Sequence, residues 1–361
     1  MAKSHRVFKE AHQLSSTVTI SELRVFIARV LQSVGLPESD SDRVAELMAE
    51  ADARGADGHG VFRLPQYVKR IQSDGINTRP NIRVIREQAA TALVDGDNAM
   101  GHLVMSRAAE IAIEKARNSG VAWVGARNSN HAGPAMLYAR MPLAHDMLGI
   151  YIAVGSANHL PPWGGTAMLL STNPIAIAVP GLRKPAMVLD MATTNAAYGK
   201  VKIKAQRNEP MPEGWMMDRQ GQPLTDPKRA SEGFLLPIGG PKGYGLALMF
   251  GVLAGTLNGA AFGKDVVDFN ADSASLTNTG HAIIAVNIAA FADVQAFKEK
   301  ADAIWDEMKS SPKLPGFDEI RLPGERSTGI YDDRVAHGIP VSRELRSSLD
   351  ELADRLRVGR L

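Results

Sequence analysis

The chain has 361 residues, of which 45% are hydrophobic and 22% are charged, a composition typical of a globular protein. Its length allows two or three domains and a sizeable core. The formal net charge of +2 gives no case for nucleic-acid binding. The absence of cysteine excludes disulfides, thiolate metal sites and cysteine nucleophiles, and it fits a cytoplasmic location.

The N-terminal third of the chain predicts helices. Its first residues, MAKSHRVFKEAHQLSSTV, contain no apolar core of signal-peptide length. Residues 19–35 predict an amphipathic helix, because Thr19 and Glu22 form a capping box in front of an apolar stripe. A second predicted helix follows, and Gly55 is well placed to end it.

The middle of the chain predicts a sheet. After a predicted helix over 101–118, short apolar runs alternate with segments rich in Gly, Pro, Asn and Ser. Nearly continuous apolar runs of this length are typical of strands buried on both faces. The predicted strands cover residues 121–127, 148–154, 174–180, 186–194 and 281–291.

The uncharged segment 244–263, YGLALMFGVLAGTLNGAAFG, raises the question of a membrane span. Its repeated glycines make a poor lipid-facing surface, and no Lys/Arg cluster or aromatic belt flanks it. We therefore expect a buried helix, packed in a protein core or at a subunit interface, and no membrane partner. Residues 293–309 and 342–357 predict two further helices.

Helical ends thus enclose a strand-rich middle, which predicts a mixed α/β fold. We expect residues 1–120 and 305–361 to form one helical domain for substrate and dimer contacts. Residues 121–304 would form an inserted, strand-rich domain that binds a nucleotide.

The segment RGADGHGVFR places His59 between Gly58 and Gly60, with Arg63 four residues further on. The glycines would allow a ligand to approach the backbone closely. Histidine can give or take a proton near neutral pH, and an arginine fork can bind a carboxylate through two hydrogen bonds. If the chain resumes as a helix after Gly60, His59 and Arg63 share a face. A hydrogen-bonded histidine without a catalytic role is the alternative.

Two further segments carry polar candidates at strand ends, where α/β proteins commonly bind ligands. His131 lies in NSNHAG, a loop in which Asn and Ser could also cap the helix that Pro134 begins. Asp190 lies in LDMATT, where its carboxylate could bind a ribose, orient a histidine or cap a turn. The residues alone leave these roles open.

The segment GGPKGYG precedes a predicted helix, and its backbone N–H groups together with Lys242 would attract a phosphate. A glycine-rich connection without a ligand is the alternative. Neither a Walker loop nor a strand-borne G-x-G-x-x-G occurs in the chain, which argues against a Rossmann site. The histidine spacing gives no support for a metal site.

Ten segments in this order resemble the malate/L-lactate dehydrogenase family of the second type, also called L-sulfolactate dehydrogenase-like. Its members include ureidoglycolate dehydrogenase, 2,3-diketo-L-gulonate reductase and Δ1-piperideine-2-carboxylate reductase. The segments are RGADGHGVFRLPQYV, VDGDNAMGH, ARNSNHAG, PPWGG, STNPIAIAVP, VLDMAT, EGW, GGPKGYGLAL, NTGHAIIAV and IRLPGE.

The resemblance implies a non-Rossmann oxidoreductase that uses NAD or NADP, usually as a homodimer, on a small carboxylate. The implied proton carrier is His59, the implied carboxylate ligand is Arg63, and His131 is a further active-site histidine. The implied coenzyme contacts are Asp190, Met191, Ala192, Lys242, Gly324 and Glu325.

Four positions depart from the residues common in that family, namely Gly58, Ala132, Ser171 and Pro241. They leave the proton carrier and the carboxylate ligand in place. They favour a bulkier 2-oxo acid or a cyclic imino acid over plain malate or lactate.

The function expected from the sequence is hydride transfer between NAD(P)H and C2 of a 2-oxo acid, with the 2-hydroxy acid as the other partner. One alternative is NAD(P)H-dependent reduction of a cyclic imino acid of the piperideine- or pyrroline-2-carboxylate type. Another is a relative that binds a nucleotide without catalysis.

Overall fold

The computed structural model describes residues 16–206 and 208–361. The expectation about the N-terminal segment falls mainly on residues 1–15, outside the described part. The chain forms two compact units. The first contains the described residues up to Asp74 together with Gly324–Leu361, and the second contains Gly75–Pro323.

The regular elements are numbered in chain order. The helices are α1 (Ile20–Ser33), α2 (Glu38–Ala53), α3 (Leu64–Gln72), α4 (Gly101–Ser119), α5 (Met136–Arg140), α6 (Tyr198–Gln206), α7 (Pro241–Ala254), α8 (Val294–Ser310), α9 (Glu325–His337) and α10 (Arg343–Leu356). The strands are β1 (Ser16–Val18), β2 (Arg83–Glu87), β3 (Thr91–Asp95), β4 (Val121–Ser129), β5 (Met147–Ala153), β6 (Asn158–Leu160), β7 (Leu170–Ser171), β8 (Ile175–Val179), β9 (Met187–Met191), β10 (Met216–Asp218), β11 (Gly233–Leu235), β12 (Thr279–Asn287) and β13 (Ile339–Val341).

The first unit is a helical assembly around the α1–α2 pair. The predicted capping box of α1 is confirmed: the Glu22 N–H donates to Thr19 Oγ1, and the Thr19 N–H donates to the Glu22 carboxylate. The apolar stripe of α1 is buried against α2, α10 packs on α1 and α3, and α9 packs on α2. The short antiparallel pair β1–β13 ties the beginning of the described chain to the segment between α9 and α10.

A mixed seven-stranded sheet forms the centre of the second unit, in the order β2-β3-β4-β12-β5-β8-β9. Only the β3–β4 pair is parallel, and α4 provides the crossover between these two strands. The sheet pairs β12 with both β4 and β5, and residues 279–285 of β12 are buried. The apolar run HAIIAV reflects this central position.

Part of the second unit packs away from the large sheet. The two-stranded pairs β6–β7 and β10–β11 lie in this region together with α6. Leu160, Met216 and Leu235 belong to its buried cluster, and Tyr198 and Tyr244 pack against it. This cluster places the beginning of α7 beside the small strands.

The helix expected over 244–263 is shorter in the structure, and its packing at a subunit interface stays a prediction. The helix α7 ends at Ala254, and short 3₁₀ turns follow at Thr256–Asn258 and Gly263–Asp265. Glycine and alanine face the core on one side of α7, whereas Leu246, Met249 and Leu253 are exposed on the other side. Of the helices in the described parts of the chain, none is long and apolar enough to cross a bilayer.

The compact units divide the chain at different positions from the predicted domains. Residues 75–120 lie with the sheet because β3 pairs with β4 and α4 packs on both strands. Residues 305–323 also belong to the second unit. The predicted domains, 1–120 with 305–361 and 121–304, stay a prediction about the folding units.

Replacing Thr19 with Ala should destabilise the first unit by about 1 kcal/mol, because the Glu22 N–H loses its side-chain acceptor at 3.1 Å. The unfolding midpoint in urea, followed by circular dichroism, measures this change. Val25→Ala is the control, since Val25 is exposed on α1, and its effect should stay within about 0.5 kcal/mol. A Thr19→Ala midpoint equal to that of the wild type would contradict the cap's contribution.

Candidate active site

His59 and Arg63 lie in two consecutive 3₁₀ turns, Asp57–His59 and Val61–Arg63. The helix α3 begins only at Leu64, so the expected α-helical turn between the two residues does not form. They are nevertheless close together, because the Arg63 Nε donates to the carbonyl oxygen of Gly58 at 2.9 Å. The guanidinium thus turns back towards the residue that precedes the imidazole.

The environment of His59 favours a neutral imidazole. Burial, and secondarily the positive charge of Arg63, lower the pKa of His59 to about 4 from an ordinary value of 6.5. The ring is half-buried as a whole, with its Nδ1 inside the protein. Near neutral pH the imidazole is therefore neutral, with a nitrogen lone pair that can accept a proton.

Arg63 is a half-buried cation beside a buried phenol. Burial lowers the pKa of Arg63, while the neighbouring Tyr67 opposes that change. Tyr67 is fully buried in α3, and burial raises the pKa of its hydroxyl. A partly desolvated guanidinium gains more from an anionic ligand than an exposed one does. Sequence reasoning did not identify Tyr67, because its helical spacing is also that of a core residue.

Of the two glycines around His59, Gly60 is required by a protein contact, whereas the space beside Gly58 is open. Neither has a positive φ. A Cβ at Gly60 would lie 2.2 Å from the carboxyl carbon and both carboxyl oxygens of Asp52, so this glycine is required by a protein contact. A Cβ at Gly58 would meet nothing within 4 Å.

In the second unit, buried polar contacts hold the loop that carries His131. The fully buried Asn130 donates through its Nδ2 to the carbonyl oxygens of Asn98 and Ala99, at 3.1 and 3.0 Å. The half-buried His131 ring lies 5.4 Å from the ring of Phe269, measured between centroids. The loop therefore presents His131 from a rigid base.

A buried histidine that sequence reasoning missed supports the same loop. His281 Nε2 lies 3.2 Å from the Asn130 carbonyl oxygen, and its Nδ1 lies 2.7 Å from the Tyr151 hydroxyl. A carbonyl oxygen only accepts, so Nε2 carries the proton and Tyr151 donates to Nδ1. Burial lowers the pKa of His281 to about 4, which keeps this ring neutral. Its place in an apolar strand gave no sign of this role.

Asp190 connects the end of β9 to the helix after the His131 loop. Its Oδ2 accepts the N–H of Met136 at 2.9 Å, so Asp190 caps α5, and the expected Asn and Ser caps do not. Desolvation by the surrounding protein raises the pKa of Asp190 to about 6, and the hydrogen bond from the Met136 N–H opposes that rise. Met191 ends β9, and Ala192 follows it.

The segment GGPKGYG forms the beginning of α7, as expected. Gly239 and Gly240 have positive φ values of 58° and 63°, and Lys242 is exposed in the first turn. A Cβ at Gly243 would lie 2.2 Å from the Ile238 carbonyl oxygen, so the backbone is tightly packed here. The backbone N–H groups of this first turn and the Lys242 cation form a suitable environment for a phosphate.

Gly324 and Glu325 form the start of α9 in the first unit. Gly324 is the N-cap residue and adopts the left-handed conformation with a φ of 86°. The same helix contacts the segment before His59, since the Ser327 Oγ donates to the Arg54 carbonyl oxygen at 2.9 Å. This helix was not predicted, because it lacks a regular apolar stripe.

The structure therefore groups the candidate residues into two sets. His59, Arg63, Gly324 and Glu325 belong to the first unit. His131, Asp190, Met191, Ala192 and Lys242 belong to the second, where Met136 links Asp190 to the helix that follows His131. Their functional roles stay predictions.

Tyr151→Phe should destabilise the second unit by about 1–3 kcal/mol, because His281 Nδ1 would stay buried without its donor. Urea unfolding measures the loss, and amide hydrogen exchange at residues 128–133 should become faster. Tyr331→Phe is the control, as it keeps the ring that stacks on Arg54 at 4.2 Å. Equal protection of the loop in wild type and Tyr151→Phe would contradict the support by His281.

Comparison with known proteins identifies the family. The family model of malate/L-lactate dehydrogenases matches residues 18–350. Malate dehydrogenase from Pyrococcus horikoshii is 40% identical over 92% of this chain and 93% of its own length. L-sulfolactate dehydrogenase from Methanocaldococcus jannaschii is 39% identical over 91% of this chain and 94% of its own length.

Solved structures give the same result. The structure of the P. horikoshii malate dehydrogenase aligns with a TM-score of 0.88 at 38% identity, covering 96% of this chain and 97% of that one. The names of two further relatives include a coenzyme. Ureidoglycolate dehydrogenase (NAD(+)) from Escherichia coli O157:H7 is 34% identical over 88% of this chain and 90% of its own length. (2R)-3-sulfolactate dehydrogenase (NADP(+)) from Chromohalobacter salexigens is 30% identical over 89% of this chain and 93% of its own length. With a match over nearly its whole length and an α/β fold like theirs, the chain belongs to the malate/L-lactate dehydrogenase family.

Proposed function

We propose that the protein is an NAD(P)-dependent dehydrogenase of 2-hydroxy acids in which His59 carries the proton and Arg63 binds the carboxylate. One observation supports these roles above all: a neutral imidazole and a partly desolvated guanidinium lie on one short segment. A 2-hydroxy acid carries a carboxylate next to the carbon whose hydroxyl loses a proton. The two side chains match these two groups.

Small carboxylates are the proposed substrates. The relatives at 39–40% identity are named for malate and sulfolactate, each of which has a second anionic group beyond the 2-hydroxy acid. Arg63 would hold the carboxylate common to both molecules. The open space next to Gly58 fits a substrate larger than lactate.

In the oxidation direction, the neutral His59 accepts the hydroxyl proton while Arg63 fixes the carboxylate. NAD(P)+, when bound, would supply the acceptor for the hydride of C2. The products are the 2-oxo acid, NAD(P)H and one proton, so atoms and electrons balance. Arg63 would raise the reaction rate by limiting the rotation of the bound substrate. General base catalysis typically raises the rate by about 10²–10⁴-fold.

Reduction of the 2-oxo acid needs the protonated form of His59, and binding of the substrate favours this protonated form. The positive charge of Arg63 contributes to the lowered pKa of His59. A substrate carboxylate on Arg63 offsets that charge, so binding should raise the pKa of His59. The protonated imidazole then donates to the oxygen formed at C2. His131 is proposed as a second active-site imidazole.

NAD or NADP is the coenzyme, as the names of the relatives support. The first turn of α7 with Lys242 is proposed to hold a phosphate, since its backbone donors and cation suit one. Asp190, Met191 and Ala192 are proposed as further contacts at the end of β9. Gly324 and Glu325 keep the same predicted role, and the left-handed Gly324 would let a ligand approach the backbone.

Two finer properties of the fold and assembly also belong to the proposal. The fold would be the non-Rossmann L-sulfolactate dehydrogenase-like type, with an inserted strand-rich domain that binds the coenzyme. The protein would form a homodimer, and the exposed apolar side chains of Leu246, Met249 and Leu253 on α7 support an interface. A cytoplasmic location stays a prediction from composition.

The central test measures nicotinamide absorbance with malate, sulfolactate and ureidoglycolate, their oxo forms, and piperideine- and pyrroline-2-carboxylate. Each compound is tested with both coenzymes, in the oxidised form for hydroxy acids and in the reduced form for oxo and imino acids. His59→Ala should lower turnover by about 10²–10⁴-fold and leave coenzyme affinity within a few-fold. His337→Ala is the control, because His337 is an exposed histidine elsewhere in the first unit. Wild-type turnover in His59→Ala would exclude this residue as the proton carrier.

Two other outcomes of this test identify the alternatives. Activity only with piperideine- or pyrroline-2-carboxylate would indicate an imine reductase. Coenzyme binding without turnover of any substrate would indicate a binding protein.

The pH dependence of hydroxy-acid oxidation offers a separate test. The value of kcat/KM reports ionisation in the free enzyme, where His59 must be neutral to accept a proton. Since its pKa is lowered from 6.5 to about 4, kcat/KM should stay constant through pH 6.5 and fall only as the pH approaches 4. Circular dichroism at each pH controls for unfolding. A fall centred at 6.5 or above would contradict the assignment.

A further inference from the structure

We propose that Asp52 is a positioning residue for the reaction, which holds His59 and Arg63 in their catalytic arrangement. This inference rests on the function proposed above. It assigns no contact with the substrate to Asp52, which acts through the backbone between the two side chains.

The contact that carries the proposal joins α2 to the catalytic segment. Asp52 is 3% exposed, near the end of α2, and its Oδ2 accepts the N–H of Val61 at 2.7 Å. Val61 follows His59 by two residues and precedes Arg63 by two. One buried hydrogen bond therefore fixes the backbone midway between the imidazole and the guanidinium.

Gly60 lies directly on the same carboxyl. The Cβ that any other residue would have here would lie 2.2 Å from its Cγ and from both oxygens, a distance that real Cβ atoms do not reach. The matching position on the other side of His59, Gly58, is open. The asymmetry shows that the carboxyl, and not the turn alone, demands glycine at position 60.

The backbone of Asp52 is itself held from the opposite side. The Arg334 side chain, on α9, donates through Nη1 to the Asp52 carbonyl oxygen and pairs with the Asp57 carboxylate. Asp57 begins the 3₁₀ turn that ends in His59. Both the carboxyl of Asp52 and its main chain are thus anchored, so a shift of residue 52 would move the catalytic segment.

Asp52 can perform this task as a neutral acid. Burial raises its pKa well above the ordinary range, against the opposing effect of the Val61 N–H. Asp57 raises the pKa further, and Arg334 lowers it. The neutral acid still has an oxygen that accepts from Val61. An asparagine offers the same neutral acceptor.

The first experiment compares Asp52→Asn with Asp52→Ala in the full chain. L-malate is the substrate, or the acid of the panel that the wild type oxidises fastest. Asp52→Ala is expected to lower kcat by at least about tenfold, since a small misplacement of reacting groups is costly, with coenzyme affinity within about threefold. Asp52→Asn is expected to restore kcat to within about threefold of wild type. Wild-type kcat in Asp52→Ala, or equal losses in both variants, would overturn the proposal.

Asp302→Ala separates positioning from general loss of stability. Asp302 is 5% exposed in the second unit and accepts the N–H groups of Leu182, Arg183 and Lys184 at 3.0, 2.8 and 3.2 Å. Its removal is expected to lower the urea midpoint as Asp52→Ala does, with kcat within twofold of wild type. A kcat loss equal to that of Asp52→Ala would attribute both effects to destabilisation and overturn the proposal.

A double-mutant cycle with Gly60→Ala tests the contact itself. The added methyl group collides with the Asp52 carboxyl in the wild type, whereas Asp52→Ala makes room for it. The kcat of the double variant is expected to be higher than the product of the two single effects. Gly58→Ala is the steric control and should leave the urea midpoint near wild type. Independent, multiplicative effects of the two substitutions would overturn the contact.

The His59→Ala variant distinguishes the two levels of inference. If His59→Ala nearly abolishes turnover and Asp52→Ala does not lower it, the positioning role of Asp52 is wrong and the proposed function is supported. If His59→Ala keeps full turnover, the role of His59 in the proposed function and the positioning role of Asp52 are both wrong.

Discussion

The contact between the buried carboxyl of Asp52 and the backbone of Gly60 and Val61 is the constraint on which the catalytic proposal depends. It lies between the two short 3₁₀ turns that carry His59 and Arg63. An α-helical turn would have placed the two residues on one face by regular periodicity. The structure instead uses a specific tertiary contact, so their arrangement depends on α2 and α9 as well as on the local sequence.

The same principle recurs in the second unit with different chemistry. There the loop of His131 rests on neutral groups: the amide of Asn130, the imidazole of His281 and the hydroxyl of Tyr151. Buried polar groups are costly unless each finds a partner, and a satisfied network specifies one conformation. Both candidate histidines are thus presented by segments whose backbone is fixed through buried side chains.

Local patterns in the sequence predicted much of the framework. The capping box of α1, the helix α4 and the buried strand β12 follow from spacing and residue type, and His59 and Arg63 were proposed from their chemistry. The role of Asp52 was missed because α2 contains several acidic residues, and an acidic residue in such a helix normally faces the solvent. The end of α7 at Ala254 was missed because an uncharged run does not reveal where a helix gives way to turns. Such features depend on contacts between residues distant in sequence.

The buried neutral histidines have a consequence for how the protein tolerates acid. His281 and His159 have pKa values lowered to about 4 in the folded protein, mainly by burial, against 6.5 for the ordinary side chain. Between those values the unfolded chain binds protons that the folded chain refuses, so folding weakens as the pH falls below 6.5. Mild acidification therefore destabilises the second unit through His281 in β12 and His159 in β6.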